Sequence, residues 1–552
     1  MHLSRSLRAL ALVLAVLLLP ALAFAQVQIP AEKGVKNVII MIPDGMSVGG
    51  TTLTRWVNGG VQPLSFDELA CGLVRSYPTD AIINDSAPAG TAYACGIDAQ
   101  TGNIGVYPDA SNMPGLNQPK PNGVNNLSPA ANIMEAARLQ GRATGLVVTC
   151  EIQHATPADF AAHDPSRKNY DNIGEQEVYA GFDVVLGGGY QYFAPTARKD
   201  KEDLVSVIKA NYDFVQDVAG MKASKAARLW GAFAPIDLGY DLDRDAARVP
   251  SLAEMTDKAV STLSANKKGF VLMVEGSLID WAAHANDTAG IVGDINAFDK
   301  AVAVALDFAK KDKNTVVIIA TDHGNSGISI GNTATTSGYD TLPLKTVVDP
   351  IRKATRTAQG VADLINADRS NIAEVASQYY GVTVSDEEIA RIKAAKDQGE
   401  LRVLCTAVLS PKLAAAARIG FTTGGHTGED LVLYVYSPTA SLRPTGVLMN
   451  TDIARYMEKL LGVDLVSQTA RQFQLAVAGF AAKGASARTD LSEKANPVLV
   501  VTKGTTEIRL MQNKNVALVN GKETKLSGLV LYTGIAGGEN WYVPKDAMDL
   551  VK

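Results

Sequence analysis

The 552-residue sequence predicts an α/β fold, in which a mostly parallel central sheet is flanked by helices, with a helical insertion and a small C-terminal β module. Apolar runs typical of strands alternate with helical patterns through most of the chain, and this alternation is the pattern of a parallel sheet. Several acidic residues follow the predicted strands, as expected where an open α/β sheet holds its ligands. Near the C-terminus, short strand-like runs around Asn520-Gly521 predict hairpins of a separate module.

Two sets of segments carry this prediction. The predicted strands are Val35–Ile42, Cys71–Tyr77, Ala143–Thr149, Asp183–Leu186, Gly269–Val274, Thr315–Ala320 and Leu431–Tyr436. The predicted helices are Pro129–Gln140, Ser251–Ala265, Ala297–Lys310 and Thr451–Leu461. Strands separated by helices in this way predict βαβ units, and therefore parallel strands.

The pattern divides the chain into four parts. Residues 1–25 have the features of a leader, and residues 26–464 hold the α/β pattern. Within the second part, residues 340–420 are mostly helical and charged, which predicts an insertion; a cap over the site, a subunit contact and a solvated elaboration all fit it. Residues 465–496 predict a helix followed by an Ala-, Lys- and Ser-rich linker, and residues 497–552 the accessory β module.

The first 25 residues have the three parts of a secretory leader. Arg5 and Arg8 form its basic start, Ala9–Leu19 its apolar core, and residues 23–25 its small-residue cleavage site. An uncleaved membrane anchor is the alternative. Because the apolar run is short for a span and no second such run follows, we expect cleavage, no membrane span in the mature chain, and a periplasmic or secreted location.

The charge of the chain argues against a nucleic-acid partner. The formal net charge is −5, and it becomes −7 without the leader, which contains two arginines and no acidic residue. The sequence also has no basic cluster that could bind a polyanionic backbone. Its 47% hydrophobic and 20% charged residues are ordinary for a globular protein, so composition sets no other limit.

The predicted mature chain contains four cysteines, Cys71, Cys95, Cys150 and Cys405. An even number of cysteines in an exported protein permits disulfides, whose pairing the sequence leaves open. Buried free thiols fit equally well, because Cys71 and Cys150 lie in apolar, strand-like runs. No two cysteines have C-x-x-C spacing, so we assign none of them to a metal site.

The segment from Asn84 to Ala92 contains a candidate nucleophile. It follows a strand-like run and predicts a helix of small residues, with Asp85 as its N-cap and Ser86 in its first turn. The free N–H groups and the positive dipole end of such a helix favour an anion held at Ser86. Capping preferences alone would also place an Asp-Ser pair here, so this segment needs support from other residues.

Two histidines lie close in sequence to carboxylates. Asp280 and His284 are four residues apart, a spacing that puts both on one face of a helix. Asp322 and His323 directly follow the predicted strand Thr315–Ala320.

Two more residues extend this set of candidate ligands. His426 lies between glycines in residues 424–428, where the backbone can approach a site closely. Asp44 ends the apolar run that begins at Val38. Imidazole and carboxylate groups together suit zinc or a similar divalent ion.

These segments resemble the motifs of alkaline phosphatases, and they occur in that family's order between residues 36 and about 436. The resemblance implies the α/β fold of that family and hydrolysis of phosphate monoesters to an alcohol and inorganic phosphate, with an alkaline optimum. The matching segments are Ile42-Pro43-Asp44-Gly45-Met46, Asn84-Asp85-Ser86-Ala87, His154-Ala155-Thr156-Pro157 through Ser166-Arg167, Val274-Glu275-Gly276 through Asp280 and His284, Thr321-Asp322-His323, and Gly425-His426-Thr427-Gly428.

The resemblance implies two zinc ions and a serine nucleophile. Carried over by motif, the ligands of the first zinc would be Asp280, His284 and His426. Those of the second would be Asp44, Asp322 and His323, with Ser86 completing the set. Ser86 would attack phosphorus and form a phosphoseryl intermediate, which a hydroxide on the first zinc would then hydrolyse.

The resemblance also gives roles to residues beside the nucleophile. Arg167, eleven residues after Thr156, would hold two phosphate oxygens with its planar guanidinium group. Asp85 fits an orienting group or a helix cap better than a metal ligand. His163, which we place within the helix that follows Thr156, is expected to be structural.

A third metal site, usually filled by magnesium, matches Asp44, Thr156 and Glu275, whose hard oxygen ligands suit that ion. The sequence departs from some relatives here, because His154 stands where they carry Asp and Trp281 where they carry Lys. An imidazole at this site could admit zinc or weaken magnesium binding. We expect His154 to orient neighbouring groups, with direct ligation as the alternative.

The sequence leaves other functions open. A phosphodiesterase of the same superfamily fits the same motifs, whereas a sulfatase would need C/S-x-P-x-R, and residues 86–90 lack that arginine. A non-enzymatic, metal-bearing phosphate-binding envelope protein, attached through its C-terminal module, is the third candidate. It would not need a serine at a helix start beside two metals. The expected partners are small phosphate monoesters. The resemblance also implies that two copies of the chain form a homodimer.

Overall fold

The computed structural model describes residues 29–31, 34–114, 126–535 and 538–552, without side chains at 534–539. The predicted leader lies outside these ranges, as do residues 115–125 of the Asn-, Pro- and Gly-rich stretch 103–127, whose composition predicts a loop. Among the helices in the described ranges, none combines the length and the hydropathy needed to cross a bilayer.

Ten strands form one central sheet, which confirms the predicted α/β class. Across the sheet their order is β10-β2-β9-β8-β1-β7-β3-β4-β6-β5, and β9 alone runs antiparallel to its neighbours. In chain order the strands are β1 (Asn37–Ile42), β2 (Ala70–Arg75), β3 (Ala143–Glu151), β4 (Val184–Gly188), β5 (Asp213–Val215), β6 (Leu229–Ala232), β7 (Phe270–Glu275), β8 (Thr315–Ala320), β9 (Leu431–Tyr436) and β10 (Gly446–Met449).

Strand β1 lies in the middle of the sheet, between β7 and β8, and its side chains alternate between two hydrophobic cores. Val38, Ile40 and Ile42 pack into the core on one face, while Ile39 and Met41 pack into the core on the other. Because both faces of the sheet are covered, the strand is an uninterrupted apolar run in the sequence.

Helices cover both faces of this sheet, and side-chain caps fix where several of them begin. Asn132 and Glu135 form a capping box at one helix, and Ser251 and Glu254 form another. The helix predicted from residue 297 begins earlier, since the Asp287 side chain accepts from the N–H groups of residues 289 and 290. The helices of this region are Val48–Val57, Ser86–Cys95, Ile133–Leu139, Ala155–Asp159, Tyr170–Ala180, Leu204–Asn211, Val218–Ala223, Leu252–Leu263, Leu278–His284, Thr288–Asp312 and Thr451–Leu461.

The residues between β8 and β9 contain the helical insertion, which packs around its own hydrophobic core. The carboxylate of Asp287 attaches it to the central region by accepting from Ala358 N at 2.7 Å and from Tyr380 Oη at 2.8 Å. At its base, Ser329–Ile330 pairs antiparallel with Ile419–Gly420. The helices of the insertion are Leu344–Lys353, Ala358–Ala362, Ile372–Val375, Asp386–Lys393 and Gln398–Ala416.

The C-terminal residues form a small antiparallel module, as the fold prediction stated. The stretch from Ala482 to Pro497, predicted as a linker, contains a strand of this module that pairs with the next one. This strand is at the edge of its sheet and is partly exposed, so its sequence has no apolar run. The five strands are β11 (Ser486–Asp490), β12 (Val498–Lys503), β13 (Thr506–Met511), β14 (Val516–Val519) and β15 (Lys522–Lys525). Beside them, Gln474–Leu475, Leu531–Ile535 and Gly538–Val543 form a second sheet, with helices Leu465–Gln472, Ala476–Ala482 and Lys545–Met548.

A buried polar interface holds this module against the helix Tyr170–Ala180. The Asn513 side chain accepts from Gln176 Nε2 at 3.1 Å and donates to Glu175 Oε2 at 2.9 Å. The Lys514 ammonium group lies 2.8 Å from Glu202 Oε1 and 3.4 Å from Glu175 Oε1. Breaking such buried contacts leaves polar groups unpaired, so the interface fixes the module in one position.

Candidate metal centre and nucleophile

Three adjacent strands deliver carboxylates to one edge of the central sheet. Asp44 lies two residues beyond β1, Asp322 two residues beyond β8, and Glu275 is the last residue of β7. Because these strands are parallel neighbours in the order β8-β1-β7, their carboxyl ends meet at the same edge. All three carboxylates are fully buried.

One group of potential metal ligands consists of Asp280, His284 and His426. Asp280 and His284 lie on the helix Leu278–His284, and the His284 Nε2 atom is 3.4 Å from Asp280 Oδ2. The Nε2 atom of His426 lies 3.7 Å from Asp280 Oδ1 and 3.1 Å from His284 Nε2. The structure therefore brings together the three residues that the sequence assigns to the first zinc.

A second group consists of Asp44, Asp322 and His323. His323 Nε2 lies 3.5 Å from Asp44 Oδ1 and 3.2 Å from Asp322 Oδ2. The Ser86 hydroxyl oxygen is 3.2 Å from the same nitrogen. The candidate nucleophile thus lies beside the residues that the sequence assigns to the second zinc.

The three imidazoles are oriented by the backbone. The Nδ1 atom of His284 lies 2.8 Å from the carbonyl oxygen of Gly424, and that of His323 lies 3.2 Å from the carbonyl oxygen of Gly324. The Nδ1 atom of His426 lies 2.8 Å from the carbonyl oxygen of Asn84. A carbonyl oxygen only accepts, so Nδ1 carries a proton, and the tautomer that binds a metal presents the lone pair of Nε2 to the site. The short Nε2 contact between His284 and His426 therefore brings two lone pairs face to face, an arrangement that a shared cation would stabilise.

The two groups lie next to each other. The rings of His323 and His426 stack with centroids 3.6 Å apart, because residues 324–325 and 426–427 pair as short antiparallel strands. Gly45 allows the close approach, since a Cβ atom there would lie 2.5 Å from Asp280 Oδ1. Asn325 donates to this same oxygen at 2.6 Å and fixes the carboxylate.

The electrostatics of the site show uncompensated negative charge. Burial raises the pKa of Asp44 well above its usual range, and the carboxylates of Asp322, Asp280 and Glu275 raise it further. Burial, with the charge of Asp322, raises the pKa of Glu275 to about 8. Burial alone would also raise the pKa of Asp280, but the neighbouring imidazoles outweigh it and hold that pKa below the ordinary value.

A third cluster contains Glu275, His154 and Cys150, whose potential ligand atoms lie close together. Cys150 Sγ is 3.8 Å from Glu275 Oε2. Glu275 Oε1, His154 Nδ1 and the Thr156 hydroxyl are buried and have no hydrogen-bond partner within the described part of the chain. The sequence assigned no cysteine to a metal, and it missed Cys150 because this residue lies inside an apolar strand without C-x-x-C spacing. All four cysteines are free thiols.

Arg167 links the nucleophile segment to this third cluster. Its guanidinium group forms an ion pair with Asp85, whose side chain makes no cap hydrogen bond although Asp85 occupies the N-cap position. Arg167 also donates from Nη2 to His154 Nε2 at 3.0 Å. Burial and Arg167 lower the pKa of His154 to about 3, so the ring is neutral and its proton lies on Nδ1. Trp281 packs edge-on against His154, with ring centroids 6.0 Å apart.

The helix Ser86–Cys95 places its first residue at the site through close packing. A Cβ atom at Gly90 would lie 2.3 Å from Asp159 Oδ2, so this helix approaches the helix Ala155–Asp159 closely. Thr91 Oγ1 donates to Asp159 Oδ1 at 2.6 Å across the same contact. Ser86 is 2% exposed, and the free N–H groups of the helix start face it.

One sequence placement is wrong, because His163 does not lie in the helix that contains Thr156. That helix ends at Asp159, and His163 lies in the loop beyond it. Its Nδ1 atom is 2.8 Å from Gly105 O and its Nε2 atom 3.2 Å from Glu135 Oε1. It is buried in these contacts, in line with the structural part expected of it.

The chemistry of the donor set fits divalent cations. Both oxygens of Asp44 and Oδ2 of Asp322 are buried, and no donor in the described part of the chain reaches them, although imidazole nitrogens lie next to them. Carboxylate and imidazole ligands in this arrangement suit zinc in the first two groups. The oxygens of Asp44, Thr156 and Glu275 suit a harder ion such as magnesium.

Comparison with known proteins agrees with this geometry. The alkaline phosphatase family profile matches residues 35–463. Alkaline phosphatase 3 of Bacillus subtilis is 36% identical over 443 residues, which cover 77% of this chain and 89% of that protein. The crystal structure of a cold-active alkaline phosphatase from a psychrophilic Shewanella species is 30% identical, with a TM-score of 0.65, over 77% of this chain and 99% of that one. The crystal structure of Thermus thermophilus alkaline phosphatase is 26% identical, with a TM-score of 0.67, over 79% of this chain and 93% of that one.

Proposed function

This chain belongs to the alkaline phosphatase family, and we propose that it hydrolyses phosphate monoesters through a phosphoseryl intermediate on Ser86. The observation that carries the proposal is the position of the Ser86 hydroxyl. It lies at the start of a helix, 3.2 Å from His323 Nε2, beside two groups of carboxylates and imidazoles able to hold cations. A protein that only bound phosphate would not need a hydroxyl at this point.

The proposed ligands of two zinc ions are Asp280, His284 and His426 for one, and Asp44, Asp322, His323 and Ser86 for the other. When bound, these ions supply positive charge that offsets the phosphate dianion and lowers the pKa of the serine hydroxyl. The bare Nε2 atoms of the three imidazoles and the unpartnered oxygens of Asp44 support this assignment.

The residues of the chain then act on the phosphate in two steps. The Ser86 oxygen forms a bond to phosphorus while the ester P–O bond breaks, and the alcohol leaves. Water next attacks phosphorus, the bond to Ser86 breaks, and inorganic phosphate is released with the hydroxyl restored. The N–H groups at the start of the helix Ser86–Cys95 and the guanidinium group of Arg167 hold the negatively charged oxygens in both steps.

For the third site we propose magnesium, with Asp44, Thr156 and Glu275 as its ligands. His154 positions Arg167, since its Nε2 atom accepts from that guanidinium group. A neutral ring that accepts at Nε2 carries its proton on Nδ1, so it has no free lone pair for the metal. This argument favours the orienting role of His154 over direct ligation. Trp281 and Asp85 hold His154 and Arg167 in place by the contacts described above.

The replacement Arg167→Ala is expected to weaken substrate and product binding. It removes a charged donor that can reach two phosphate oxygens, and such contacts contribute about 1.5–3 kcal/mol each. We expect kcat/KM for p-nitrophenyl phosphate to fall by roughly 10- to 100-fold, and inhibition by inorganic phosphate to weaken in parallel. Steady-state kinetics with and without phosphate measure both effects.

Arg402→Ala provides the matched control. Arg402 pairs with Asp363 on the surface of the insertion, with side chains 44% and 42% exposed. Its removal should leave both kinetic constants unchanged. Equal losses in the two variants would show that Arg167 acts through stability rather than through phosphate contact.

A comparison of monoesters with diesters tests the proposed reaction itself. We expect hydrolysis of p-nitrophenyl phosphate to exceed that of bis(p-nitrophenyl) phosphate by at least about 10³-fold in kcat/KM, because the site provides positive charge for a dianion. Initial rates of p-nitrophenol release, measured with the same enzyme preparation, give the ratio. A ratio near or below one would identify the protein as a phosphodiesterase.

The location and assembly of the protein complete the proposal. The leader expected over residues 1–25 supports export to the periplasm or the medium, and the family resemblance supports a homodimer. Small phosphate monoesters are the proposed partners at the site.

A further inference from the structure

A cleft of about 570 Å³ lies between the segment that follows Arg167 and the C-terminal module. Its wall on the central region includes Lys168, Tyr170 and Lys199, and its wall on the module includes Lys494 and Tyr532. The match to the alkaline phosphatase family ends at residue 463, so the second wall lies outside the family's matched region.

One end of the cleft lies next to the proposed phosphate site. Lys168 directly follows Arg167, and consecutive Cα atoms are about 3.8 Å apart. Tyr170 Oη donates to Glu151 Oε1 at 2.8 Å, and Glu151 is the last residue of β3, from which the chain turns to His154. The cleft therefore begins one residue along the chain from the arginine that we propose contacts phosphate.

The cleft carries an excess of positive charge. Lys168, Lys199 and Lys494 are all exposed, and none of them forms an ion pair with another described residue. One of the two acidic residues in the walls is offset by an arginine and the other keeps its charge, so three lysines face one carboxylate without a cationic partner among the described residues. Asp200 pairs with the buried Arg198, and Asp171 Oδ2 accepts from the Lys199 backbone N–H at 3.1 Å. Clustered uncompensated lysines attract anionic groups.

The cleft is also preformed and offers aromatic contacts. Tyr170 packs edge-on against Tyr192, with centroids 5.1 Å apart, and Tyr532 stacks on Trp541 at 4.7 Å. The buried contacts of Asn513 and Lys514 fix the module wall relative to the other wall. Preformed sites with a few polar groups among aromatic rings are typical of ligand binding.

We propose that this cleft binds the leaving-group end of phosphate monoesters whose alcohol carries a second phosphate group, with the lysines of both walls contacting that group. The proposal rests on the proposed function, since it extends the substrate from Ser86 and Arg167 into the cleft. It gives the C-terminal module a part in substrate choice.

Two nucleotides that differ by one phosphate test the proposal. Hydrolysis of adenosine 5′-monophosphate releases adenosine, a neutral leaving group. Hydrolysis of either ester of adenosine 3′,5′-bisphosphate releases an alcohol that still carries a phosphate. The test variant is Lys199→Ala/Lys494→Ala, and the matched control is Lys522→Ala/Lys525→Ala on the exposed strand β15, away from the cleft. Release of inorganic phosphate by the full chain gives kcat/KM for each substrate, with p-nitrophenyl phosphate as the reference.

We expect the test variant to lose roughly three- to ten-fold in kcat/KM for the bisphosphate at low salt, as two exposed charge contacts would give. The monophosphate, p-nitrophenyl phosphate and the control variant should be unaffected. Lys199→Arg/Lys494→Arg should retain bisphosphate turnover, and about 0.5 M NaCl should reduce the difference.

Two results would overturn the assignment of the cleft: an unchanged bisphosphate rate in the test variant, or equal losses on all three substrates. The second result would indicate general steering of anions. A wild-type protein that failed to hydrolyse p-nitrophenyl phosphate would instead refute the proposed function, so the two failures are distinguishable.

Discussion

Ser86→Ala is expected to lower kcat/KM for p-nitrophenyl phosphate by at least about 10³-fold, equivalent to roughly 4 kcal/mol of transition-state stabilisation. The substitution removes the only atom of this residue that can bond to phosphorus, while the carboxylates and imidazoles around it stay in place. Steady-state kinetics give the loss, and metal analysis of the purified variant should show the wild-type content.

Ser370→Ala is a suitable control for the loss of a serine hydroxyl. Ser370 lies on the insertion, where its hydroxyl donates to Asp368 at 2.8 Å. This variant should retain full activity. If Ser86→Ala also retained wild-type kcat/KM with its metals bound, water would be the direct nucleophile and the phosphoseryl route would be excluded.

Removal of divalent metal by a chelator is expected to have a similarly large effect. Bound cations provide several kcal/mol of charge stabilisation to the transition state, so activity should fall by at least about 10³-fold. The thermal midpoint should also fall, by about 5 °C or more, because the ions bind only the folded chain. Adding zinc back should restore both properties. Full activity in protein shown to be metal-free would refute the metal assignment.

The metal-free protein should also depend on pH in a definite direction. Glu275 has an ordinary pKa of 4.5 and a folded-state pKa of about 8, and the pKa of Asp44 is raised too. Between these values the folded state binds more protons than the unfolded state, so the free energy of unfolding should decrease as the pH rises from about 5 to about 8. Bound cations favour the ionised carboxylates, so the decrease should be much smaller in the metal-loaded protein. Denaturant unfolding at several pH values, with and without metal, measures this difference.

The buried strands of the central sheet are more predictable from the sequence than the short or exposed strands at sheet edges. Strands Thr315–Ala320 and Leu431–Tyr436 have the predicted bounds, because strands buried on both faces are continuous apolar runs. Strand Asp213–Val215 lies at the edge of the sheet and has three residues, which is too short for a periodic signal. The edge strand Ser486–Asp490 is partly exposed and has no apolar run, so its sequence indicates a linker instead of a strand.

Within the site, the structure brings together the residues that the sequence proposes for two cations, whereas the sequence missed Cys150 and the contact between Arg167 and His154. Asp44, Asp322 and His323 follow strand ends, and that position made them recognisable. Cys150 lies within strand β3, and it is near Glu275 because β3 pairs with β7 in a register that places Val148 opposite Glu275. The contact between Arg167 and His154 depends on the loop after residue 159, whose path no local pattern indicates.

The two ends of the helical insertion are hydrogen-bonded to each other at its base, through residues 329–330 with 419–420 and 324–325 with 426–427. His323 and His426 therefore stay in register whatever lies between them. Because lengthening a closed loop costs only about 0.6 kcal/mol per doubling, we expect a change in the length of this segment to leave the two histidines in place. Evolution, or a protein engineer, could vary the insertion there while the two histidines keep their positions.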